Sequence, residues 1–217
     1  MSTQTTHVLV ALSADILSGG LAADFVKISK EFITAGIAPT CLSNIDLRVL
    51  IHRYQGPILY GREEMGAREE VVGLMEPPFY HLVKNGLKSR VIQWIQDTST
   101  IMSPNESAVI VITGHGMENG GILFYSPQQG KEWLEVKELY NVLHLMPQSV
   151  NILLVNLACY SDHWRKLASL GGHQQITVET ASLPSEISRN HLSKSRRCRC
   201  SWFRHAWITE WKRYPTV

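Results

Sequence analysis

Three short segments of continuous apolar residues stand out along the chain. They span 7–12, 107–113 and 150–156, and weaker segments of the same kind lie at 176–180 and 37–42. Continuous apolarity, without alternation to polar residues, is typical of strands that are buried on both faces in a parallel sheet. The pattern therefore predicts a mostly parallel sheet built around these segments.

Between the strand segments, apolar residues recur at helical spacing. Such stripes run through 21–32, 87–95 and 136–143. Alternating strands and helices predict an α/β fold, here a three-layer α/β/α sandwich with a mostly parallel sheet of about six strands. We expect a single domain over residues 1–217, with a ligand site beyond the carboxyl ends of the strands, where open parallel sheets bind their ligands.

Two regions depart from this alternation. Residues 43–80 are rich in Gly and Pro, and we interpret them as an irregular insertion, either a lid or a packed surface excursion. Near the C-terminus, four aromatic residues from Phe203 to Tyr214 follow one another at steps of four, four and three. This spacing predicts a closing helix at about 201–214. The alternative for that basic, aromatic stretch is nucleic-acid binding, which the helical spacing disfavours.

Composition narrows the classes of protein that need be considered. Charged residues make up 18% of the chain, against roughly 25% in average globular proteins, so this is a folded chain. A net charge of +2 argues against a polyanionic partner, and four cysteines make no disulfide framework. No membrane span or signal peptide is evident. We expect a cytoplasmic monomer or homodimer that has reduced thiols and binds neither nucleic acid nor membrane.

The chemistry lies where two of the predicted strands end. The 107–113 strand continues into Gly114-His115-Gly116, and the 150–156 strand continues into Leu157-Ala158-Cys159. If these strands are parallel neighbours, His115 and Cys159 emerge at the same edge of the sheet as an acid/base and a nucleophile. The backbone N–H groups of Gly116 and Cys159 are candidates for an oxyanion hole. The structural alternative is a core cysteine and a turn histidine.

A metal site is the weaker interpretation of the remaining Cys and His residues. Cys198 and Cys200 stand one residue apart with His191 and His205 nearby, whereas structural zinc sites use two to four intervening residues. We therefore expect no metal and no cofactor. Residues Asp162, His163 and His173 follow Cys159 and either line a cleft or are surface polar groups.

The two strand-end motifs resemble those of a known enzyme group. Thr113-Gly114-His115-Gly116 with Gly121-Ile122-Leu123-Phe124, together with Ala158-Cys159-Tyr160-Ser161, resemble the caspase–legumain cysteine peptidases, and legumain most closely. Residues 180–188 are similar to a further legumain segment. The resemblance covers most of 7–190, patchily. It implies a caspase-like sandwich with Cys159 as nucleophile and His115 as its partner.

The resemblance also implies a substrate pocket and shows how this chain departs from it. The implied pocket residues are Ser18, Gly20, Leu21, Leu157, Tyr160, Ser182, Glu186 and Ile187. The asparagine of legumain's catalytic triad falls at Ser18, and its Arg-His pair falls at Gly20 and Leu21. Legumain has an acidic residue at Leu157 and a serine at Ile187. Because the polar side chains are absent, we expect an apolar group beside the scissile carbonyl, or a substrate that is not a peptide.

These observations predict a cysteine-dependent hydrolase or acyl-transfer enzyme. A Cys159–His115 dyad would act through a thioester on a peptide or small acyl substrate, in the manner of a peptidase. One alternative is a hydrolase or cyclase for a non-peptide thioester or lactone, which the apolar pocket positions favour. The other is a non-catalytic interaction module on the same fold.

Overall fold

The computed structural model describes residues 5–15, 17–62, 67–72, 79–126, 130–170 and 175–181. Its strands are β1 (Thr6–Leu12), β2 (Thr40–Ser43), β3 (Ile58–Arg62), β4 (Ala67–Val72), β5 (His81–Leu82), β6 (Ser107–Thr113), β7 (His115–Gly116), β8 (Ile122–Ser126), β9 (Gly130–Leu134), β10 (Asn151–Asn156) and β11 (Gln175–Thr180). Its helices are α1 (Gly19–Thr34), α2 (Leu47–Tyr54), α3 (Leu87–Ile101), α4 (Val136–Leu143) and α5 (Lys166–Leu170), with a 3-10 helix at Ser161–Arg165.

Six of these strands form one parallel sheet in the order β11-β10-β6-β1-β2-β5. The three longest predicted strands are its centre, because β6 pairs with β1 on one side and with β10 on the other. Smaller antiparallel sheets lie outside it, a β3–β4 hairpin and a three-stranded β7–β8–β9 sheet. The predicted α/β fold with six parallel strands is confirmed.

Helices cover both faces of the sheet, and this explains the continuous apolarity of the central strands. On β6, Val109 and Val111 belong to the core that includes Phe25 of α1, while Ile110 and Ile112 belong to a second core shared with α3 and α4. Every residue of β6 is therefore buried. A strand between two cores must be apolar on both faces, and the result is a three-layer sandwich.

The region expected to be an irregular insertion contains regular elements. Within 43–80, the described residues form β2's last residue, α2 and the β3–β4 hairpin. The Asp46 side chain accepts a hydrogen bond from the Arg48 N–H and so caps α2, while Leu47, Leu50 and Ile51 are buried. A helix of about two turns shows too little periodicity to be recognised among glycines and prolines.

The remaining comparisons with expectation concern an edge strand, the C-terminal helix and membrane-spanning helices. Strand β5 was not predicted, because two residues carry no pattern. The predicted closing helix at 201–214 lies outside the described residues. Among the described helices, none combines the length and apolarity that crossing a membrane requires.

Candidate active site

The candidate site lies where β1, β6 and β10 end side by side. Leu12 is paired with Thr113, and Asn156 is paired with Ile112, so the three strands end at nearly the same level. The turns that follow carry His115 and Cys159 at the same edge of the sheet. The expectation that these two strands are parallel neighbours is confirmed, and β1 adds the turn from Ser13 to Ser18.

The turn that carries Cys159 is held by hydrogen bonds on its N-terminal side. The Leu157 N–H donates to the Ile112 carbonyl at 3.0 Å, and the Ala158 N–H donates to Asn156 Oδ1 at 3.0 Å. Directly after the cysteine, Tyr160 has φ 54 and ψ 25, in the left-handed region. A residue other than Gly is uncommon in this region, and such strain of ~1–3 kcal/mol is often found at functional sites.

On its C-terminal side the same turn is anchored by an aromatic side chain. Trp164 is completely buried, and its Nε1–H donates to the carbonyl of Gly120. Gly120 has φ +84, and a Cβ there would collide with the His163 side chain. The 3-10 helix after Cys159 is therefore packed tightly on the β7–β8 turn, which fixes the position of the cysteine relative to the His115 segment.

A glycine allows the segments that carry His115 and Cys159 to touch through their backbones. A Cβ placed on Gly116 would overlap the carbonyl oxygen of Cys159 and lie 2.7 Å from its carbonyl carbon and 3.0 Å from its nitrogen. Only a residue without a side chain fits there. The close approach places the Cys159 backbone directly beside the residue that follows His115.

The imidazole of His115 has a partner in the turn after β1. Its Nε2 lies 2.9 Å from Ser18 Oγ, and Ser18 Oγ lies 2.6 Å from Asp15 Oδ1. The ring also makes an edge-on contact with Tyr125, at 6.1 Å between centroids. The His115 side chain is 45% exposed, so the imidazole is both held in place and reachable from solvent.

The two described cysteines differ sharply in accessibility. Cys159 is half-buried, whereas Cys41 of β2 is buried. Burial raises the pKa of the Cys41 thiol to about 11. Because the thiolate is the reactive form of cysteine, Cys41 is held in an inert state and Cys159 is the accessible thiol of the described chain.

The residues expected to form the substrate pocket fall into three groups. Ser18 contacts His115, and Tyr160 is half-buried next to Cys159. Gly20, Leu21 and Leu157 are buried beneath the site, the two leucines in the core on the α1 side. Ser182, Glu186 and Ile187 lie outside the described residues. The described pocket positions thus give an apolar floor and two hydroxyl-bearing side chains, Ser18 and Tyr160.

The structure describes Asp162 but not the cysteine and histidine residues considered for metal binding. Asp162 binds Arg165 Nε at 2.6 Å and accepts from Thr180 Oγ1 at 3.4 Å, so its carboxylate is engaged away from His115. His173, His191, Cys198, Cys200 and His205 lie outside the described residues. Within the described part, no group of three or more His, Cys, Asp or Glu side chains is arranged to hold a metal ion.

Sequence reasoning missed two contributors to the site, Asp15 and Tyr125. Asp15 stands three positions before Ser18, a spacing at which an Asp can accept hydrogen bonds from the residues that follow it. This was the available signal. Nothing in the sequence indicated that Tyr125, in the strand after the His-Gly pair, would contact the imidazole.

Comparisons with known proteins carry no argument about the fold or the function of this chain. No protein-family model matches the chain, and no curated protein matches its sequence. A crystal structure of protein GSU0716 from Geobacter sulfurreducens aligns with 98% of this chain at 12% identity, with a TM-score of 0.39. The alignment spans 66% of that protein's length. A likeness at this level supports no conclusion about family or function.

Proposed function

We propose that this protein is a cysteine-dependent acyl-transfer enzyme, a hydrolase in its simplest form, in which Cys159 is the nucleophile and His115 the general acid/base. The observation that carries the proposal is the meeting of two segments at one sheet edge. A half-buried cysteine follows β10, a partly exposed imidazole follows β6, and Gly116 brings the two backbones into contact.

The proposed reaction has two steps. In the first, Cys159 Sγ bonds to the substrate carbonyl carbon while its proton passes to His115, and His115 then protonates the leaving group as its bond to carbon breaks. In the second, water attacks the thioester, His115 takes a proton from the water, and the Cys159 thiol is released and reprotonated. The N–H groups of Gly116 and Cys159 are the candidates to stabilise the oxyanion in each step, where one such donor contributes about 3 kcal/mol.

Two further observations support an apolar acyl group over an asparagine-like side chain. Exposed apolar residues flank the catalytic segments in sequence, with Leu17 57% exposed and Met117 38% exposed. The buried positions beneath the site, Leu21 and Leu157, offer no side-chain hydrogen bond, and an unsatisfied buried amide costs ~1–3 kcal/mol. The first candidate substrate is an ordinary peptide. These apolar features support a second candidate, a non-peptide thioester or lactone.

The free state of both described cysteines supports a compartment in which thiols stay reduced, such as the cytoplasm. Disulfide formation at Cys159 would remove the proposed nucleophile. The proposal therefore includes a cytoplasmic location.

The deciding experiment is to trap an acyl-enzyme. A panel of peptide amides, acyl thioesters and lactones is incubated with the wild type, with Cys159→Ala and with Cys41→Ala, and intact mass and turnover are recorded. We expect an adduct and turnover in the wild type and in Cys41→Ala, and neither in Cys159→Ala. Turnover that persists in Cys159→Ala would refute the proposal. A folded wild type with neither adduct nor turnover on any substrate would favour the interaction module.

A further inference from the structure

Ser18 is placed to cap a helix but does not do so. It occupies the N-cap position of α1, and its side chain makes no capping hydrogen bond. Serine is among the preferred N-cap residues, because its oxygen satisfies one of the first N–H groups of the helix. Here the hydroxyl binds Asp15 on one side and His115 on the other. The side chain thus gives up a common structural role for a contact with the proposed acid/base.

The proton count in this chain of contacts fixes the tautomer of His115. The Ser18 hydroxyl has one proton, which it donates to Asp15 Oδ1, because an ionised carboxylate can only accept. Ser18 Oγ must then accept the hydrogen bond at His115, so Nε2 carries the ring proton. In the neutral ring Nδ1 is left as the basic nitrogen. The assignment follows from the hydrogen-bond network.

The Asp15 carboxylate is itself oriented toward the ring. Its Oδ1 also accepts from the Leu17 N–H at 2.8 Å, and its Oδ2 lies 4.0 Å from His115 Nε2. Among the described residues, the ring's other contact is the edge-on one with Tyr125 of β8, which is not a cation. Asp15 is therefore the charged group that favours the protonated ring once the imidazole has taken up the thiol proton.

We infer that Asp15 is a positioning residue that acts through Ser18 to hold His115 as the Nε2–H tautomer, with Nδ1 as the base, and to stabilise its protonated form. The inference deepens the proposed function and rests on it for its catalytic meaning. The simpler alternative is that Asp15 only shapes the turn between β1 and α1. That turn needs the hydrogen bond to Leu17, which an asparagine in place of Asp15 could retain.

Three variants separate these alternatives. Asp15→Asn keeps the size and an acceptor oxygen but removes the charge. Ser18→Ala removes the link. Glu106→Gln is the matched control, because Glu106 also pairs with a histidine, His7, at 3.1 Å, but at the amino ends of β1 and β6. Circular dichroism and thermal unfolding establish that each variant is folded.

Two readouts need no substrate, so they test the Asp15–Ser18–His115 hydrogen-bond chain, which we call the relay, separately from the acyl-transfer reaction. Nitrogen-15 NMR of the imidazole reports the tautomer of His115, assigned by the signal lost in His115→Gln. The initial rate of Cys159 alkylation by iodoacetamide near neutral pH reports how readily the thiol gives up its proton. Positioned acid–base groups contribute about 10²–10⁴-fold to rates, and we expect loss of the relay to remove about tenfold.

We expect the Nε2–H tautomer in the wild type and in Glu106→Gln, a mixture of tautomers in Ser18→Ala, and alkylation about tenfold slower in Asp15→Asn and Ser18→Ala. An Nδ1–H tautomer in the wild type, or wild-type alkylation in Asp15→Asn, would overturn the inference. So would unfolding of both relay variants, which would show a structural role. Failure of the proposed function would appear instead as turnover that survives Cys159→Ala.

Discussion

Replacing Gly116 by alanine should damage the proposed site more than the fold. The added Cβ would lie 2.7 Å from the carbonyl carbon of Cys159, whereas carbon atoms in contact are about 3.5–4.0 Å apart. The two backbones must therefore separate by at least about 0.8 Å to clear this carbon, and by more to clear the carbonyl oxygen of Cys159, which the Cβ would overlap. Displacements near 1 Å at catalytic groups cost about 10²-fold in rate, and overpacking costs ~1–3 kcal/mol of stability.

The assay compares Gly116→Ala with Gly121→Ala, which lies in the same hairpin. A Cβ at Gly121 would meet Asn119 Oδ1 at 3.2 Å and nothing else closer than 3.9 Å. Asn119 is exposed, and its Oδ1 accepts a hydrogen bond from the Gly121 N–H at 3.0 Å, so Gly121→Ala should cost at most the ~1 kcal/mol of that bond if the side chain moves aside. We expect Gly116→Ala to lose about 100-fold in turnover and to lower the thermal midpoint modestly, while Gly121→Ala leaves turnover unchanged.

A Gly116→Ala protein with wild-type stability, wild-type turnover and wild-type alkylation of Cys159 would contradict this prediction. That result would mean that the backbone contact is loose and does not position the cysteine. If Gly116→Ala fails to fold while Gly121→Ala folds normally, the contact is still tight, and its stability cost exceeds the ~1–3 kcal/mol expected for overpacking.

Three further predictions concern stability and selectivity. Burial raises the pKa of Cys41 from 9.0 to about 11, so as the pH rises the unfolded chain loses this thiol proton before the folded chain does. The free energy of unfolding should therefore fall by ~2–3 kcal/mol between those pH values. In urea titrations, Cys41→Ala should lack that part of the loss. Trp164→Phe should cost ~1–3 kcal/mol, because it leaves the buried Gly120 carbonyl without its donor, and should slow turnover by loosening the turn after Cys159; wild-type stability would contradict this. Asp46→Ala should cost ~1 kcal/mol by uncapping α2. The hydrogen bond from Arg48 holds the Asp46 pKa below its usual value. The stability difference between the wild type and Asp46→Ala should therefore be present near neutral pH and disappear as acid protonates the carboxylate. A difference that persists in strong acid would count against the cap.

The central strands could be predicted from the sequence because burial on both faces leaves a signal in every residue. In β6 all seven positions are buried, and no surface requirement interrupts the apolar run. The edge strand β5 has two exposed residues, so neither length nor polarity marks it. Helix α2 was not predicted either, because its capping residue Asp46 is a residue type that is also common in turns.

The site was predictable only as far as strand ends are predictable. His115 and Cys159 follow buried strands directly, and parallel neighbours bring such positions together. The Ser18 hydroxyl, in contrast, could have capped α1, and the sequence does not indicate which of two partners it binds. The Gly116 contact also depends on the separation of two backbones, which only the folded structure defines.

The construction of the site has a consequence for how it appears during folding. Ser18 and His115 are 97 positions apart in the chain, and Cys159 follows His115 by 44 more. No local segment contains the constellation, so it forms only after β1, β6 and β10 have paired, and pairing over such separations is slow. A nascent or truncated chain would carry Cys159 as an ordinary thiol. Fast alkylation of this cysteine would therefore report that β1, β6 and β10 have paired, and the appearance of this reactivity during refolding would time that pairing.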